Sequence, residues 1–483
     1  MVTFVGSLLF LIAGYLIYGR FMERIFGADT NRPTPAYTQQ DGVDYVPMSW
    51  WRVFLIQFLN IAGLGPIFGA IMGVMFGPAA FLWIVLGTIF GGAVHDYLSG
   101  MMSVREGGVS LPELVGKQLG RYIKLFMRLF SLVLMVLVGA VFVSGPAGLL
   151  EGLIPDISLL VWTVIIFVYY MLATLLPIDK IIGKIYPVFG FALLFMAVGI
   201  LFALFYNNAP IPELTSGLGS HHPDRSMHVF PMMFVSIACG AISGFHATQS
   251  PIMARCIKNE KYGRRCFYGA MVAEGIVALI WAAAASSFFG SLDGLQQYVA
   301  ALPETANKAA EVVNVISKNW LGAVGGFLAI LGVIAAPLTS GDTALRSARL
   351  IAADFLHIDQ KPITKRLLIS VPIFILTFVI LQMNFDILWR YFAWCNQTLA
   401  VFTLWAITVY LCRRKKLYVV SLIPAIFMTM VCSTYLFVAP RPEGFGLPYA
   451  VSLSVGAVIT VFVVVCFFVL KGKNRPDLKN EIE

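Results

Sequence analysis

The sequence of 483 residues predicts an all-α polytopic membrane protein with about thirteen transmembrane helices. Three observations carry that reading. Hydrophobic residues make up 59% of the chain and charged residues only 12%, where a soluble protein carries roughly 25% charged. The apolar residues fall into runs of ~20, the length that crosses a bilayer as helix. The basic residues gather in short clusters between those runs, as topology signals do.

The qualifying runs are 2–20, 51–76, 79–104, 122–150, 157–177, 186–206, 230–254, 264–290, 321–345, 364–383, 385–411, 417–439 and 448–471. The first has no basic stretch before it, and Arg20 and Arg24 follow it. It therefore reads as a retained helix and not as a signal peptide. An odd number of crossings puts the termini on opposite sides. Of the 34 lysines and arginines, all but Arg225, Lys308, Lys318, Arg390 and Arg441 fall on the side of the C-terminus. The positive-inside rule then predicts the N-terminus outside and the C-terminus in the cytoplasm. The same clustering argues against nucleic acid as the partner of the net charge of +9. The seven cysteines lie in apolar runs or in loops placed inside, so no disulfide framework is expected.

Two runs break the helix rules. Gly63, Gly65 and Pro66 interrupt 51–76; Gly240, Ser243 and Gly244, with Pro251 beyond, interrupt 230–254. Close helix packing is the plain explanation for either one. Their placement says more. Runs two to six form a block of five and runs seven to eleven another, each opening on an interrupted helix. Five is odd, so the second block enters from the opposite face: an inverted repeat. The predicted organisation is an extra helix and linker (1–50), the first repeat (51–206) and an external loop (207–229). The second repeat (230–411) carries an external helical loop at 291–320, and two final helices with a cytoplasmic tail follow (412–483).

Interrupted backbone at the midplane is tolerated where it lines a cavity. Freed N–H groups there suit a carboxylate and freed carbonyls a cation. Candidate substrate contacts are thus Asn60, Gly63 and Gly65 at the first break and Ser243, Gly244, Phe245 and His246 at the second. Bulk at Gly65 or Gly244 would then block substrate and spare the fold. Asn396 and Gln397, mid-helix, either join them or bridge helices. Ionisable residues inside membranes are functional suspects because each costs ~2.5–3.5 kcal/mol at a helix centre. His95 and Asp96, His246, Glu274 and Asp342 qualify. The duller readings are a structural His95–Asp96 pair, a hydrogen-bonded Glu274, and an i,i+4 ion pair between Asp342 and Arg346. Arg390 and Asp386 are spaced for another such pair. His221, His222 and His228, with Asp224, cluster outside, but match no strong metal motif. No phosphate loop, nucleophile elbow or His-Glu-x-x-His occurs, so neither catalysis nor a cofactor is expected.

Several stretches resemble the carbon starvation protein A family of bacterial transporters. They are Asp41-Gly-Val-Asp-Tyr-Val-Pro47, Ile61-Ala-Gly-Leu-Gly-Pro66 and Ser236-Ile-Ala-Cys-Gly-Ala-Ile-Ser-Gly-Phe-His246. Asp342-Thr-Ala-Leu-Arg-Ser-Ala-Arg349 and Asn396-Gln-Thr-Leu-Ala400 complete the set. The chain departs from many relatives at Ile56-Gln57-Phe58, where they carry a histidine pair, and at Ala247-Thr-Gln-Ser-Pro251. The resemblance implies a LeuT-like core of five plus five helices, of the amino acid–polyamine–organocation superfamily. It implies import of pyruvate-like carboxylates or short peptides, driven by an ion gradient, with H⁺ or Na⁺ as partner. It also implies that the helix opening the first block passes beside Thr339, Ser340, Asp342 and Thr343, which would form an ion-coupling pocket. The rival readings are an amino-acid or peptide carrier using another cation, and a membrane sensor that binds a metabolite without moving it.

Overall fold

The computed structural model describes residues 1–154, 156–175, 178–303, 307–360, 362–383 and 385–472. Among them ten helices are long and apolar enough to cross a membrane, or eleven if a bent pair counts as one. In chain order, α1 is Val2–Phe26, the bent pair is α2 (Trp50–Ile61) with α3 (Gly65–Val74), and α4 is Ala79–Arg105. The short α5 (Leu111–Leu119) leads into α6 (Arg121–Leu153), α7 (Leu159–Leu175) and α8 (Ile178–Tyr206). Helix α9 (229–236) and α10 (Gly244–Ala254) flank the second break. Then come α11 (Glu260–Phe288), α12 (Leu292–Ala301), α13 (Lys308–Leu356), α14 (Ile363–Ile380), α15 (Phe385–Arg413), α16 (Val419–Val438) and α17 (Tyr449–Gly472).

The thirteen expected spans and the ten unbroken ones differ for physical reasons. Run 51–76 is bent by 56° at its break. Run 230–254 unwinds between Ile237 and Ser243. Run 157–177 is short for a bilayer, with an apolar helix over Leu159–Thr174. Pro66 has no N–H to continue α2 and sits in the first turn of α3, where a missing N–H costs nothing. The half-helices end alike: Ala62 (φ −76°, ψ 57°) closes α2, and Ile237 (φ −92°, ψ 63°) closes α9. Gly322, with φ 69° and ψ −173°, turns the chain inside the long α13 run, a backbone region essentially confined to glycine. A short, largely buried helix, 308–321, thereby joins a longer one.

Burial separates core from rim. The most apolar windows of α4, α11 and α15 are 78%, 83% and 72% buried, whereas those of α1 and α17 are 22% and 17% buried. The rim turns Val458, Val461, Phe462 and Val465 outward, as a lipid-facing helix must. Helix α13 lies along α6 and α8. A cavity of about 550 Å³ between α1, α4 and Leu214 is apolar and remote from the polar centre.

The glycines at the breaks are packing positions. A Cβ on Gly65 would fall 2.2 Å from Cys239 Cβ, and one on Gly244 2.3 Å from the Ala400 amide nitrogen. One on Gly63 would meet the Phe142 ring at 2.6 Å. The close approach is of helix to helix, so the expectation that bulk would block substrate and spare the fold is corrected here. Gly65→Val and Gly244→Val are expected to destabilise the protein by about 1–3 kcal/mol. Thermal unfolding in detergent should show a lowered midpoint for both.

Candidate functional site

Each break is stitched by side chains from elsewhere in the fold. At the first, the Leu59 carbonyl accepts from Thr339 Oγ1 (2.8 Å) and Ser340 Oγ (3.0 Å) of α13. At the second, Trp83 Nε1 donates to the Ile237 carbonyl (3.2 Å) and Thr88 Oγ1 to the Gly240 carbonyl (3.1 Å), both from α4. Gln397 Nε2 donates to the Phe234 carbonyl at 2.6 Å. Asn396 Oδ1 accepts from the Phe245 N–H (2.7 Å) and Ser243 Oγ (3.0 Å), while its Nδ2 reaches Cys239 Sγ at 3.3 Å. Asn396 thus caps α10 where a substrate carboxylate was expected, and with Gln397 it bridges helices.

Beside that cap runs a chain of four ionisable side chains, each fully buried. His95 Nδ1 is 2.7 Å from Asp96 Oδ1, and Asp96 Oδ2 is 2.9 Å from His246 Nδ1. His246 Nε2 faces Glu274 Oε2 at 3.3 Å. The chain crosses from α4 through α10 to α11, joining both repeats at the depth of the second break. Neither Glu274 oxygen nor His95 Nε2 has a hydrogen bond. An imidazole between two carboxylates can accept and release a proton while the local charge stays small.

A second polar group lies at the first break. Asn60 is fully buried, and neither its Oδ1 nor its Nδ2 has a hydrogen-bond partner. An unsatisfied buried group costs about 1–3 kcal/mol, so Asn60 is a candidate contact for water or a ligand. Asp342 is likewise buried, with both carboxylate oxygens lacking a hydrogen bond. Tyr186 Oη donates to the Thr339 carbonyl (3.1 Å), and Thr343 Oγ1 to the same carbonyl from within the helix (3.1 Å). Arg346, a turn beyond Asp342, donates through Nη2 to the Ala173 carbonyl (2.7 Å) and stands 3.7 Å from Asp44.

Away from the centre the residues scatter. Among the described residues no group of three or more His, Cys, Asp or Glu could hold a metal. His222 Nδ1 accepts from the Asp224 N–H at 3.2 Å, and the His228 ring lies tilted against Tyr449, centroids 3.9 Å apart. The Asp386 side chain lies outside the described residues; Arg390 Nε sits 2.5 Å from Glu443. Sequence reasoning missed Thr88 and Trp83, ordinary members of an apolar helix. It also missed Asp44, whose motif was visible but whose partners were distant in sequence.

The carbon starvation protein CstA family matches residues 1–151 and 154–324. The chain belongs to that family. An uncharacterized membrane protein of Haemophilus influenzae is 43% identical over 351 residues, 62% of this chain and 95% of that one. The peptide transporter CstA of Bacillus subtilis is 28% identical over 343 residues (58% of this chain, 57% of that one). The pyruvate/proton symporter BtsT of Escherichia coli is 27% identical over 346 residues (58% and 48%). The chain thus spans about half the length of the named transporters it matches. The manganese transporter of Eremococcus coleocola aligns over 89% of this chain and 97% of its own, with a TM-score of 0.55 at 15% identity. That likeness concerns the fold, and the architecture is the LeuT-like inverted repeat of five plus five helices.

This CstA-family chain depends on Asn396 to restart its second broken helix. Asn396→Ala removes the acceptor of the Phe245 N–H and should cost about 1–2 kcal/mol. A lowered unfolding midpoint in detergent, with the helical circular-dichroism signal retained at low temperature, is the expected outcome.

Proposed function

We propose that this chain is a secondary active importer of small carboxylates such as pyruvate, or of short peptides, coupled to protons. It is a transport protein and not an enzyme. The observation that carries the reading is the continuous, fully buried chain His95–Asp96–His246–Glu274 at the junction of the two repeats. A structural fold needs no such string of ionisable groups inside a bilayer, where each is costly. The named relatives support it, being a pyruvate/proton symporter and peptide transporters. A sensor that never moves its ligand would gain nothing from an inverted repeat, whose use is alternating access.

In this reading Asn60, with its two unused polar atoms, contacts the substrate from the first break. Proton uptake at the Asp96–His246–Glu274 chain drives accumulation. A second reading assigns coupling to Asp342 with Thr339, Ser340 and Thr343. It is favoured by the two hydrogen-bond-free oxygens of Asp342 and by the Leu59 carbonyl, an oxygen-rich setting for H⁺ or Na⁺. The protein would sit in the bacterial inner membrane with its N-terminus outside and its C-terminus in the cytoplasm. A single cysteine at Ser220 should then react with an impermeant maleimide from outside, and one at Lys415 only after permeabilisation.

The deciding experiment uses proteoliposomes with labelled pyruvate and labelled dipeptide side by side. His246→Gln should leave exchange across the membrane largely intact and stop accumulation against a gradient, lowering it at least tenfold. Asp342→Asn should accumulate normally if the histidine chain is the coupling device. Normal accumulation by His246→Gln with loss in Asp342→Asn would move coupling to α13.

A further inference from the structure

At the C-terminal-side ends of α10 and α13 lies a polar cluster that the reading above does not use. Loop 41–48 delivers Asp44 to it on a well-braced frame. Asp41 Oδ1 accepts from the N–H groups of Val43, Asp44 and Tyr45 at 2.8, 3.0 and 2.9 Å. The Met48 N–H donates to the Cys256 carbonyl at 2.9 Å, and Tyr45 Oη donates to the Gly107 carbonyl at 3.1 Å. The Arg255 guanidinium lies over the Tyr45 ring, 5.0 Å from its centre. The result is a carboxylate only 5% exposed, its Oδ1 standing 3.7 Å from Arg346 Nη1 and 3.8 Å from Arg349 Nη2.

Those distances are too long for hydrogen bonds. Arg349 is fully buried, and its Nη1 donates to Gln360 Oε1 at 2.9 Å. Its Nε and Nη2 have no hydrogen-bond acceptor. These two N–H groups form the edge with which a guanidinium grips a carboxylate side-on through two parallel bonds. Asp44 Oδ1, equally buried, has no hydrogen-bond donor. Burial pushes the Asp44 carboxyl up, but Arg349, Arg346, Arg255 and Arg366 together hold it below the usual carboxylate range. Asp44 therefore sits as an anion before a carboxylate-shaped edge that it neutralises without engaging.

A small cavity lies beside the position. Between α10 and α13 a cavity of about 10 Å³, room for one water, is bounded by Thr248, Pro251, Arg255 and Ser347. Thr248 is two residues beyond His246, and Ser347 lies between the two arginines. Through Arg255 and Ser347 this cavity borders the arginine cluster.

We propose that Arg349, with Arg346, forms a second carboxylate site on the exit route. In the occluded state the protein's own Asp44 holds that site in place of the substrate's carboxylate. The inference rests on the reading that small carboxylates are carried. Withdrawal of loop 41–48 opens the route and uncovers the guanidinium edge in one movement, so the departing anion replaces Asp44.

The test places a single cysteine at Ser347 in a cysteine-free background and measures maleimide labelling in vesicles exposing the C-terminal side. Asp44→Asn should speed labelling roughly tenfold, because breaking a buried charge pair loosens the loop that carries it. Asp44→Glu, which keeps the charge, should label near the parental rate and guards against mere misfolding. Pyruvate should then protect the cysteine in the Asp44→Asn vesicles, and that protection should vanish in Asp44→Asn/Arg349→Gln. Unchanged labelling in Asp44→Asn overturns the proposal. So does protection that survives Arg349→Gln, or equal protection by inorganic phosphate, which would mark a general anion site. Uptake of labelled pyruvate by the parental protein is scored separately. If it fails, the carboxylate reading falls; if it holds while labelling does not respond, only this inference falls.

Discussion

A chain inside a bilayer cannot stop being helical without exposing N–H and C=O groups to a solvent that accepts none of them. The rest of the structure follows from how the two breaks meet that constraint. The carbonyl of Leu59 in the first repeat is met by hydroxyls of Thr339 and Ser340 in the second. The carbonyls of Ile237 and Gly240 in the second repeat are met by Trp83 and Thr88 in the first. The stitching is reciprocal, so neither broken helix is satisfied by its own repeat alone. Any relative movement of the repeats must exchange these bonds for others, to water or to a guest. That requirement favours a few discrete arrangements over continuous drift.

The same helices hold charge at two depths. Helix α10 carries His246 near its start, and Arg255 follows its end, nine residues or ~13.5 Å further along. Around His246 the partners are the carboxylates Asp96 and Glu274. Around Arg255 stand Tyr45, Asp44 and the arginines of α13. One end is thus rich in carboxylate and the other rich in guanidinium. A packed helix joins them, so a tilt of α10 against α13 would act on both together.

How far the sequence revealed this depended on the range of the interaction. The spans, the two breaks and their matching positions were legible because Gly, Pro and apolar run length act locally. The half-helices ending at Ala62 and Ile237 share a backbone conformation that the two glycine-containing runs foreshadowed. Asn60, His246 and Glu274 were visible as polar residues where lipid allows few. Their joining was not, because residues 95, 246 and 274 meet only through folding. The resemblance placed Thr339 and Ser340 beside the first break, and local spacing alone did not. Gly65 and Gly244 misled for an instructive reason. A glycine marks close approach of something, and a sequence does not say whether that is a ligand or, as here, Cys239 and the α15 backbone.

If the cargo is an anion coupled to protons, as proposed above, the two clusters give a reason for the two to travel as a pair. Asp96 and Glu274 flank one imidazole, and with both carboxylates charged the chain is repulsive to any incoming anion even when His246 carries a proton. Like charges in such a setting repel, and the repulsion is less screened than in water. A carboxylate reaching Asn60 would meet that field until one more proton joined the chain, and the proton would in turn be held better once the anion arrived. Linkage makes the two effects equal in size. In the proposed scheme the arginines at the far end would act in the opposite sense, favouring an anion without a proton once Asp44 has moved aside. An occluded state with Asp44 in place and a neutral centre would then be the one both ends favour, and the direction of net transport would be set by which side supplies the proton.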